Sequence, residues 1–342
     1  MSATTEAKGY YKPFRFEWAF SAYALQQKMH WIPEEVPLHD DVKDWNSKRM
    51  TAGEKNLLTQ LFRFFTAGDV DVGQAYIDKY MQVFKNEEIR MMLAAFTNME
   101  AVHANAYSLL MDTVGMPEAE YQAFREIKEM AAKHDYISDF NISDEAETAK
   151  ALAVYSAFTE GLQLFSTFAI LMNFSRFGKM KGMTQIVTWS IRDESLHVDS
   201  MIRLFREYIG ERPELWNDKL KGELYVICNR MVELEDNFID LAFEQGDIEG
   251  LTPAEVKQYI RYIADRRLNA LGLKDIFHVA KNPLAWLDYI MNGVEHANFF
   301  ESRATEYAKG ALTGTWGDVW ASMSQSAPED DARLTAVSSL TT

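Results

Sequence analysis

Apolar residues recur at helical spacing over long stretches of this chain, and proline rarely interrupts them. No proline falls between Pro37 and Pro117, or between Pro117 and Pro213. Because proline breaks the interior of a helix, these intervals leave room for long uninterrupted helices. Strand signals are scarce, so the pattern predicts an all-α fold.

Capping residues and glycines mark where seven predicted helices begin and end. Thr51-Ala-Gly-Glu54 has the pattern of a capping box, in which each of the two side chains bonds the other residue's backbone N–H. Gly115 is a suitable residue to end a helix, and Thr252 precedes a proline at the first helical position. The predicted helices cover about 51–84, 86–114, 117–136, 143–177 and 183–209, with two more after Pro213 and from Thr252.

The two ends of the chain differ from its helical middle. Residues 1–36 form an aromatic-rich arm that we expect to be irregular, and residues 37–308 form the helical bundle. From about Leu312 the chain turns polar and carries the acidic run Glu329-Asp-Asp331. Residues 309–342 cannot bury enough apolar surface to order themselves, so we expect a flexible C-terminal tail.

Composition excludes several classes of function. The net charge of −16 argues against nucleic acid or an anionic membrane as partner, since either selects for clustered lysine and arginine. Cys228 is the single cysteine, which indicates a cytoplasmic protein without internal disulfides, and the N-terminus lacks the apolar segment of a signal peptide. The most apolar stretch, 151–174, contains Glu160 and Gln163, so we interpret it as a buried bundle helix and not as a membrane span.

Two copies of Glu-x-x-His carry the strongest chemical signal. They are Glu100-Ala-Val-His103 and Glu194-Ser-Leu-His197, both inside predicted helices. Residues three apart lie on one face of a helix, so each copy aims a carboxylate and an imidazole at the same point. A single Glu-x-x-His occurs by chance on many helices, but two copies, each preceded by a carboxylate in an apolar helix, are far less common.

The two upstream carboxylates are Asp69 and Glu160. Glu160 lies among apolar residues, and a buried carboxylate needs a metal, an arginine such as Arg192, or a hydrogen-bond network. Asp71 competes with Asp69, but the two lie about 200° apart on a helix, so only one of them faces the core. Four carboxylates and two histidines are the ligand set of a dinuclear site in a four-helix bundle, and they suit iron or manganese better than zinc.

Tyr107 follows His103 by four residues and therefore shares its helix face. It is either a core tyrosine bonded to a carboxylate or a one-electron donor held as a phenoxyl radical beside an oxygen-activating metal pair. A stable radical needs an apolar cage, and Leu164 and Phe168, four and eight residues after Glu160, could supply one wall. The remaining histidines lack the motif spacing and are predicted to be exposed or locally bonded: His30, His39, His134, His278 and His296.

These segments together resemble the small, radical-generating (β) subunit of class I ribonucleotide reductase, a member of the ferritin-like superfamily. The resemblance runs in order from about Phe14 to Tyr307. The segments that carry it are Trp31-Ile-Pro-Glu-Glu-Val36, Phe64-Phe-Thr-Ala-Gly-Asp69, Glu100-Ala-Val-His-Ala-Asn-Ala-Tyr107, Phe158-Thr-Glu160 and Ile191-Arg-Asp-Glu-Ser-Leu-His197.

The resemblance implies a ferritin-like bundle with two metal ions per chain in its four-helix core. Iron is the default, and manganese–iron or dimanganese pairs use nearly the same ligands. One metal would be held by Asp69, Glu100 and His103, and the other by Glu160, Glu194 and His197. Oxygen would oxidise the metal pair, and the oxidising equivalent would be stored on Tyr107 or on the metals themselves.

The resemblance further implies transfer of that equivalent to a cysteine of a large (α) subunit, which reduces ribonucleotides to deoxyribonucleotides. The implied carriers are His103, Asp193, Trp31 and Tyr307, with Trp316 and Trp320 as rivals of Tyr307. Reduction needs several redox cysteines, so a chain with Cys228 alone is not the reductive subunit.

The implied partners are the large subunit, a second copy of this chain, and a flavoprotein activase if the metal is manganese. The tail would dock on the large subunit, although its Ser-Ser-Leu-Thr-Thr end differs from the acidic, apolar or aromatic ends of many relatives. Ser190 also stands where many relatives have an aliphatic residue near the tyrosine.

Two other functions compete with this interpretation. One is a ferritin-like dimetal oxygenase or oxidase acting on a small apolar substrate, and the other is a storage or structural protein. Neither needs Trp31, Asp193 and a tyrosine-bearing tail together.

Overall fold

The computed structural model describes residues 3–290, apart from the side chain of Thr66. That part of the chain is helical and forms no β-strand, with one isolated bridge between Ile248 and Leu251. Its α-helices are α1 (Glu17–Lys28), α2 (His39–Asn46), α3 (Ala52–Ala75), α4 (Met81–Val83), α5 (Glu87–Val114), α6 (Glu120–Ala123), α7 (Lys128–Ser138), α8 (Glu145–Ala153), α9 (Leu164–Arg176), α10 (Lys181–Gly210), α11 (Asp218–Ala242) and α12 (Pro253–Leu271). The predicted all-α fold is confirmed.

The predicted helix boundaries are correct where capping residues set them. Thr51 forms the expected capping box with Glu54, and Thr252 forms a second one with Glu255. Gly115 ends α5 in the left-handed conformation, with φ of 81°. These signals are local in sequence, which is why the sequence alone predicts them.

The N-terminal segment differs from the prediction, because residues 17–28 of the expected irregular arm form α1. No side chain caps the start of this helix, so no capping residue marks where it begins. Ala19 and Ala22 are buried, and α1 packs on α5. Tertiary packing stabilises this helix. The helix predicted for 117–136 is also interrupted, because Ile127 takes an extended conformation between α6 and α7.

Two of the long helices contain segments with π-helical hydrogen bonding. A π-helical segment, Tyr76–Tyr80, joins α3 to α4, and a second one, Val154–Gln163, joins α8 to α9. A π-helix bonds each N–H to the fifth carbonyl back, and such segments are frequent at functional sites. We call the longer one the central π-segment.

Helices α3, α5 and α10 and the central π-segment pack on one another and form a four-helix core. The N-terminus of α10 is held from α2, where Asp41 accepts hydrogen bonds from the N–H groups of Gly182 and Met183, each at 2.8 Å. A Cβ on Gly182 would lie 2.7 Å from the Asp41 carboxylate, so the close approach of α2 requires glycine there. This contact sets the axial position of α10.

A buried ion pair lies beside the four-helix core. Lys133 of α7 donates to Glu235 of α11 at 2.7 Å, and both side chains are fully buried. The Lys133 ammonium lies 3.7 Å from the ring centroid of Phe64 and 4.2 Å from that of Phe238. Burial lowers the pKa of Lys133 despite its partner.

Replacing one partner of this pair is expected to destabilise the fold strongly. Lys133→Met leaves the Glu235 carboxylate buried without its cation, which costs about 3–5 kcal/mol in similar cases. Urea unfolding of the metal-free protein measures the loss. The double change Lys133→Met with Glu235→Leu removes both charges and should recover most of the loss; equal destabilisation by the single and double variants would contradict the ion-pair explanation.

Candidate dinuclear metal centre

The six predicted ligands lie in the interior of the four-helix core. Asp69 comes from α3, and Glu160 comes from the central π-segment. The two Glu-x-x-His pairs come from α5 and α10. Each of the six side chains is at most 2% exposed: Asp69, Glu100, His103, Glu160, Glu194 and His197.

Both motif glutamates span the two histidines. Glu100 lies 2.9 Å from His197 Nδ1 through Oε1, and 3.6 Å from His103 Nδ1 through Oε2. Glu194 lies 3.1 Å from His103 Nδ1 through Oε1, and 3.7 Å from His197 Nδ1 through Oε2. Each carboxylate therefore presents one oxygen to each histidine, which is the arrangement that a bridging carboxylate requires.

Five of the six predicted ligands are joined by short distances. Ligand atoms of Glu100, Glu160, Glu194 and His197 all lie within 4.8 Å of one another. His103 joins this cluster through its contact with Glu194. Asp69 is outside the cluster, but it lies close enough for the charges of His103 and Glu100 to shift its pKa.

The ligand atoms are buried and have no hydrogen-bond partner within the described part of the chain. They are Asp69 Oδ2, Glu100 Oε1 and Oε2, His103 Nδ1, Glu160 Oε2, Glu194 Oε2 and His197 Nδ1. Five of these seven atoms lie within 4.0 Å of one another in histidine–carboxylate pairs, whereas Asp69 Oδ2 and Glu160 Oε2 have no such partner among the described residues. A buried polar atom without a partner costs about 1–3 kcal/mol, and four buried carboxylates beside two imidazoles are a setting that cations would stabilise. Oxygen and imidazole donors in this number fit a pair of iron or manganese ions.

The outer nitrogen of each histidine is held by a neighbouring side chain. His103 Nε2 lies 3.2 Å from Asp193 Oδ2, and His197 Nε2 lies 3.1 Å from Gln26 Oε1. Gln26 in turn donates to Asp193 at 3.2 Å. When each Nε2 carries the proton, each Nδ1 keeps a lone pair directed at the carboxylates, which is the tautomer that a metal ligand needs. Sequence analysis missed Gln26, because no local motif marks it.

The electrostatics of the site also call for cations. Burial raises the pKa of Asp69 and of Glu160 well above the usual range of a carboxyl group. Burial opposes the charged form of His197 as well, but Glu100 and Glu194 outweigh it and raise its pKa to about 10. Metal ions would replace these protons, so metal binding should weaken as the pH falls.

Glu160 is held by a tyrosine that sequence analysis missed. Tyr76 donates to Glu160 Oε1 at 2.6 Å and leaves Oε2 as the free oxygen. Tyr76 follows Asp69 by seven residues, so helical periodicity could have placed the two on one face. Arg192, the competing partner considered for Glu160, donates to the Met29 carbonyl at 2.6 Å and lies 3.4 Å from Asp193.

Tyr107 is fully buried beside the ligands. Its hydroxyl donates to Ser190 Oγ at 3.2 Å, and its ring stacks on Phe65 with centroids 4.4 Å apart. Phe168 contacts Phe65 at 5.4 Å, so it lies one ring further from the tyrosine. Sequence analysis missed Phe65. Burial raises the pKa of Tyr107 far above its ordinary value, so the phenol keeps its proton at neutral pH.

A continuous set of hydrogen bonds joins Trp31 to the metal ligand His103. Trp31 is 3% exposed and donates through Nε1 to Asp193 Oδ2 at 2.8 Å. The same oxygen accepts from His103, and the rings of Trp31 and His103 lie 6.0 Å apart. Burial raises the pKa of Asp193, but these hydrogen bonds and the nearby positive charges lower it more, so the carboxyl group is ionised. Trp189, missed by sequence analysis, packs on Trp31 at 5.1 Å.

The competing residues lie elsewhere. Asp71 pairs with His134 at 2.5 Å, away from the ligand cluster, which agrees with the choice of Asp69. His30, His39 and His278 are exposed. Four residues considered in the sequence analysis lie outside the described part of the chain: His296, Tyr307, Trp316 and Trp320. No helix within residues 3–290 combines the length and apolarity that a bilayer-spanning segment requires.

Comparison with known proteins gives the same result as the ligand geometry. The sequence pattern of the family described as "Ribonucleotide reductase, small chain" matches residues 9–283. A probable ribonucleoside-diphosphate reductase small subunit of Invertebrate iridescent virus 6 is 43% identical, over 92% of this chain and 98% of the relative. The ribonucleoside-diphosphate reductase subunit beta of Chlamydia pneumoniae is 30% identical, over 86% of this chain and 88% of the relative.

Solved structures show the same fold. The ribonucleotide reductase R2 subunit from Clostridium botulinum superposes with a TM-score of 0.79 and 23% identity, over 85% of this chain and 94% of that one. The dimanganese(II)-NrdF of Streptococcus sanguinis superposes with a TM-score of 0.68 and 22% identity, over 79% of this chain and 95% of that one. The chain therefore belongs to the family of ribonucleotide reductase small chains, the radical-generating subunits that act with a large subunit in ribonucleoside-diphosphate reduction.

Proposed function

We propose that the six buried ligands hold two metal ions and that Tyr107 stores the oxidising equivalent. A bound iron or manganese pair would supply the one-electron oxidising power that it draws from dioxygen. Asp69, Glu100 and His103 would hold one ion, and Glu160, Glu194 and His197 the other, with Glu100 and Glu194 between them. The observation that carries the proposal is the group of four buried carboxylates and two buried histidines next to a fully buried tyrosine.

The surroundings of Tyr107 fit the storage of a radical. The side chains of Phe65 and Phe168 separate it from solvent, and Ser190 supplies the hydroxyl partner of its phenol group. Burial raises the pKa of Tyr107 most, and the charge of Asp69 raises it further, which supports a position of the phenol group beside Asp69. A phenoxyl radical in such a cage is protected from reductants in water.

Trp31 and Asp193 are proposed as the start of the route to the large subunit. Asp193 accepts hydrogen bonds from Trp31 and from His103 through one oxygen. These bonds give the oxidising equivalent a hydrogen-bonded path from His103 to Trp31. Tyr307 is proposed as the next carrier, and the tail 309–342 as the segment that docks on the partner.

The choice of metal is proposed as iron, with manganese–iron and dimanganese as alternatives. Carboxylate and imidazole donors do not separate iron from manganese. The presence of Tyr107 favours the iron-dependent tyrosyl radical, whereas the named dimanganese neighbour supports the manganese alternative. A flavoprotein activase is part of the proposal only if the metal is manganese. A homodimer is proposed as the assembly, and the single buried Cys228 fits a reducing, cytoplasmic compartment.

Trp31→Phe is expected to separate storage of the radical from its use. The indole lies outside the ligand set, so metal content and the tyrosyl signal should stay close to wild type. Nucleotide reduction with the large subunit should fall by about a hundredfold or more, because the variant lacks the N–H that bonds Asp193. Trp45→Phe, at a half-buried tryptophan of α2, is the matched control and should keep full activity. Full activity of Trp31→Phe would remove the tryptophan from the route.

The same assay separates the proposed function from the oxygenase alternative. Deoxyribonucleotide formation that requires both this chain and the large subunit supports the proposal. Oxidation of a small apolar substrate by this chain alone, without nucleotide reduction in the mixture, would favour the alternative.

A further inference from the structure

The position of Glu160 depends on the central π-segment. Glu160 lies near the end of this segment, which has ten residues and leads into α9. A π-helix takes in one more residue per hydrogen-bonded turn than an α-helix, so α-helical bonding from Val154 onward would turn Glu160 to a different direction relative to α8. The π-helical register of Val154–Gln163 is therefore a condition for this ligand to face the other carboxylates.

One side chain from another helix contacts the backbone of the central π-segment at the residue that follows Glu160. Arg267 of α12 donates through Nε to the carbonyl oxygen of Gly161, at 2.8 Å. A Cβ on residue 161 would lie 2.8 Å from that Nε and 3.0 Å from the Ser156 carbonyl oxygen. Glycine at position 161 is thus what allows the guanidinium to approach the helix backbone.

Arg267 occupies this place without a carboxylate partner. Within the described part of the chain, no ion pair within 4.0 Å includes it, although the side chain is mostly buried. Its guanidinium lies 5.1 Å from the ring centroid of Phe165. Burial lowers the pKa of Arg267, and the charge of Asp199 offsets this only in part, so placing the cation here is unfavourable without a further interaction. The hydrogen bond to Gly161 is the interaction that an apolar residue could not make.

We propose that Arg267 is a positioning residue for the metal centre: by holding the Gly161 carbonyl, it fixes the π-helical register that directs Glu160 at the second metal position. This inference rests on the proposed metal site and goes beyond it, because Arg267 touches neither a metal position nor any ligand side chain. Tyr76 donates to the Glu160 carboxylate, and Arg267 donates to the backbone carbonyl of the next residue, Gly161.

Manganese binding by the metal-free full-length chain tests the inference. Manganese(II) alone is titrated into wild type, Arg267→Met, Arg267→Lys and Arg266→Met, and free manganese is followed by electron paramagnetic resonance. Arg266 is the matched control, since it is an exposed neighbour on the same helix and donates a hydrogen bond to Tyr262. Loss of an outer partner of a ligand typically weakens metal binding by about 10- to 100-fold, and Arg267→Met should weaken one of the two ions by that amount.

The outcomes are distinct. Arg267→Lys keeps the charge and an N–H donor, so it should lower the affinity for the same ion by a smaller factor. If the methionine variant does not fold, the lysine variant provides the test. A purely structural role would lower the thermal stability of the metal-free variants without changing manganese affinity, and that result would overturn the inference. Wild-type affinity in both folded Arg267 variants would overturn it as well. Failure of wild type itself to bind manganese would instead overturn the proposed metal site, and this inference with it.

Discussion

Tyr107→Phe is expected to abolish ribonucleotide reduction while leaving the metal site intact. The hydroxyl of Tyr107 donates to Ser190, and the ring stays in place through its stacking on Phe65. Removing the hydroxyl therefore removes the site of the radical without opening a cavity. Activity with the large subunit should fall by about a thousandfold or more, as for other groups that carry the chemistry themselves.

The measurement pairs the activity assay with metal analysis and the tyrosyl signal. The variant should bind as much metal as wild type and show no tyrosyl signal after exposure to oxygen. Tyr208→Phe is the matched control, because Tyr208 is also a fully buried tyrosine but lies outside the ligand cluster. If Tyr107→Phe kept its activity, the oxidant would have to reside elsewhere, and Tyr107 would be a core residue only.

Glu194→Ala is expected to empty the metal centre and also to lower the stability of the metal-free fold. One oxygen of Glu194 lies 3.1 Å from His103, and the other lies 3.7 Å from His197, so the change removes a ligand from both positions. Loss of a residue that only holds a ligand in place weakens metal binding by up to about a hundredfold. Loss of the ligand Glu194 itself should therefore lower metal affinity by more than about a hundredfold. The metal-free protein should lose about 1–3 kcal/mol of stability, because His103 and His197 stay buried without the carboxylate that pairs with them.

The large loss of metal affinity beside a small loss of metal-free stability makes this prediction specific. Urea unfolding with and without added metal measures both in one series. Glu233→Ala, at an exposed glutamate paired with Arg230, is the control and should change neither metal affinity nor metal-free stability. A loss of metal-free stability in Glu194→Ala, with metal affinity unchanged, would show that Glu194 is a structural residue.

The features that the sequence predicts well are those encoded within one or two helical turns. Glu-x-x-His spacing places a carboxylate and an imidazole on one face whatever the rest of the fold does, and both copies face the core. Capping residues such as Thr51 and Thr252 act within three residues of themselves, and their helices begin where they indicate.

The features that the sequence does not predict depend on contacts between distant segments. Gln26, which joins His197 to Asp193, lies in a helix that carries no capping signal and was expected to be irregular. Phe65, which stacks on Tyr107, comes from a different helix and carries no local signal of this contact. The expectation for Leu164 assumed α-helical periodicity after Glu160, whereas the chain there is π-helical up to Gln163, which changes the residues that share a face.

Metal analysis of the protein from its native host, combined with low-temperature electron paramagnetic resonance after exposure to oxygen, tests the central claim most directly. The account predicts about two iron ions per chain and a tyrosyl signal that is absent from Tyr107→Phe. Manganese with a multiline metal signal that survives the substitution would move the oxidant from Tyr107 to the metals. Zinc, or no bound metal, would contradict the account altogether.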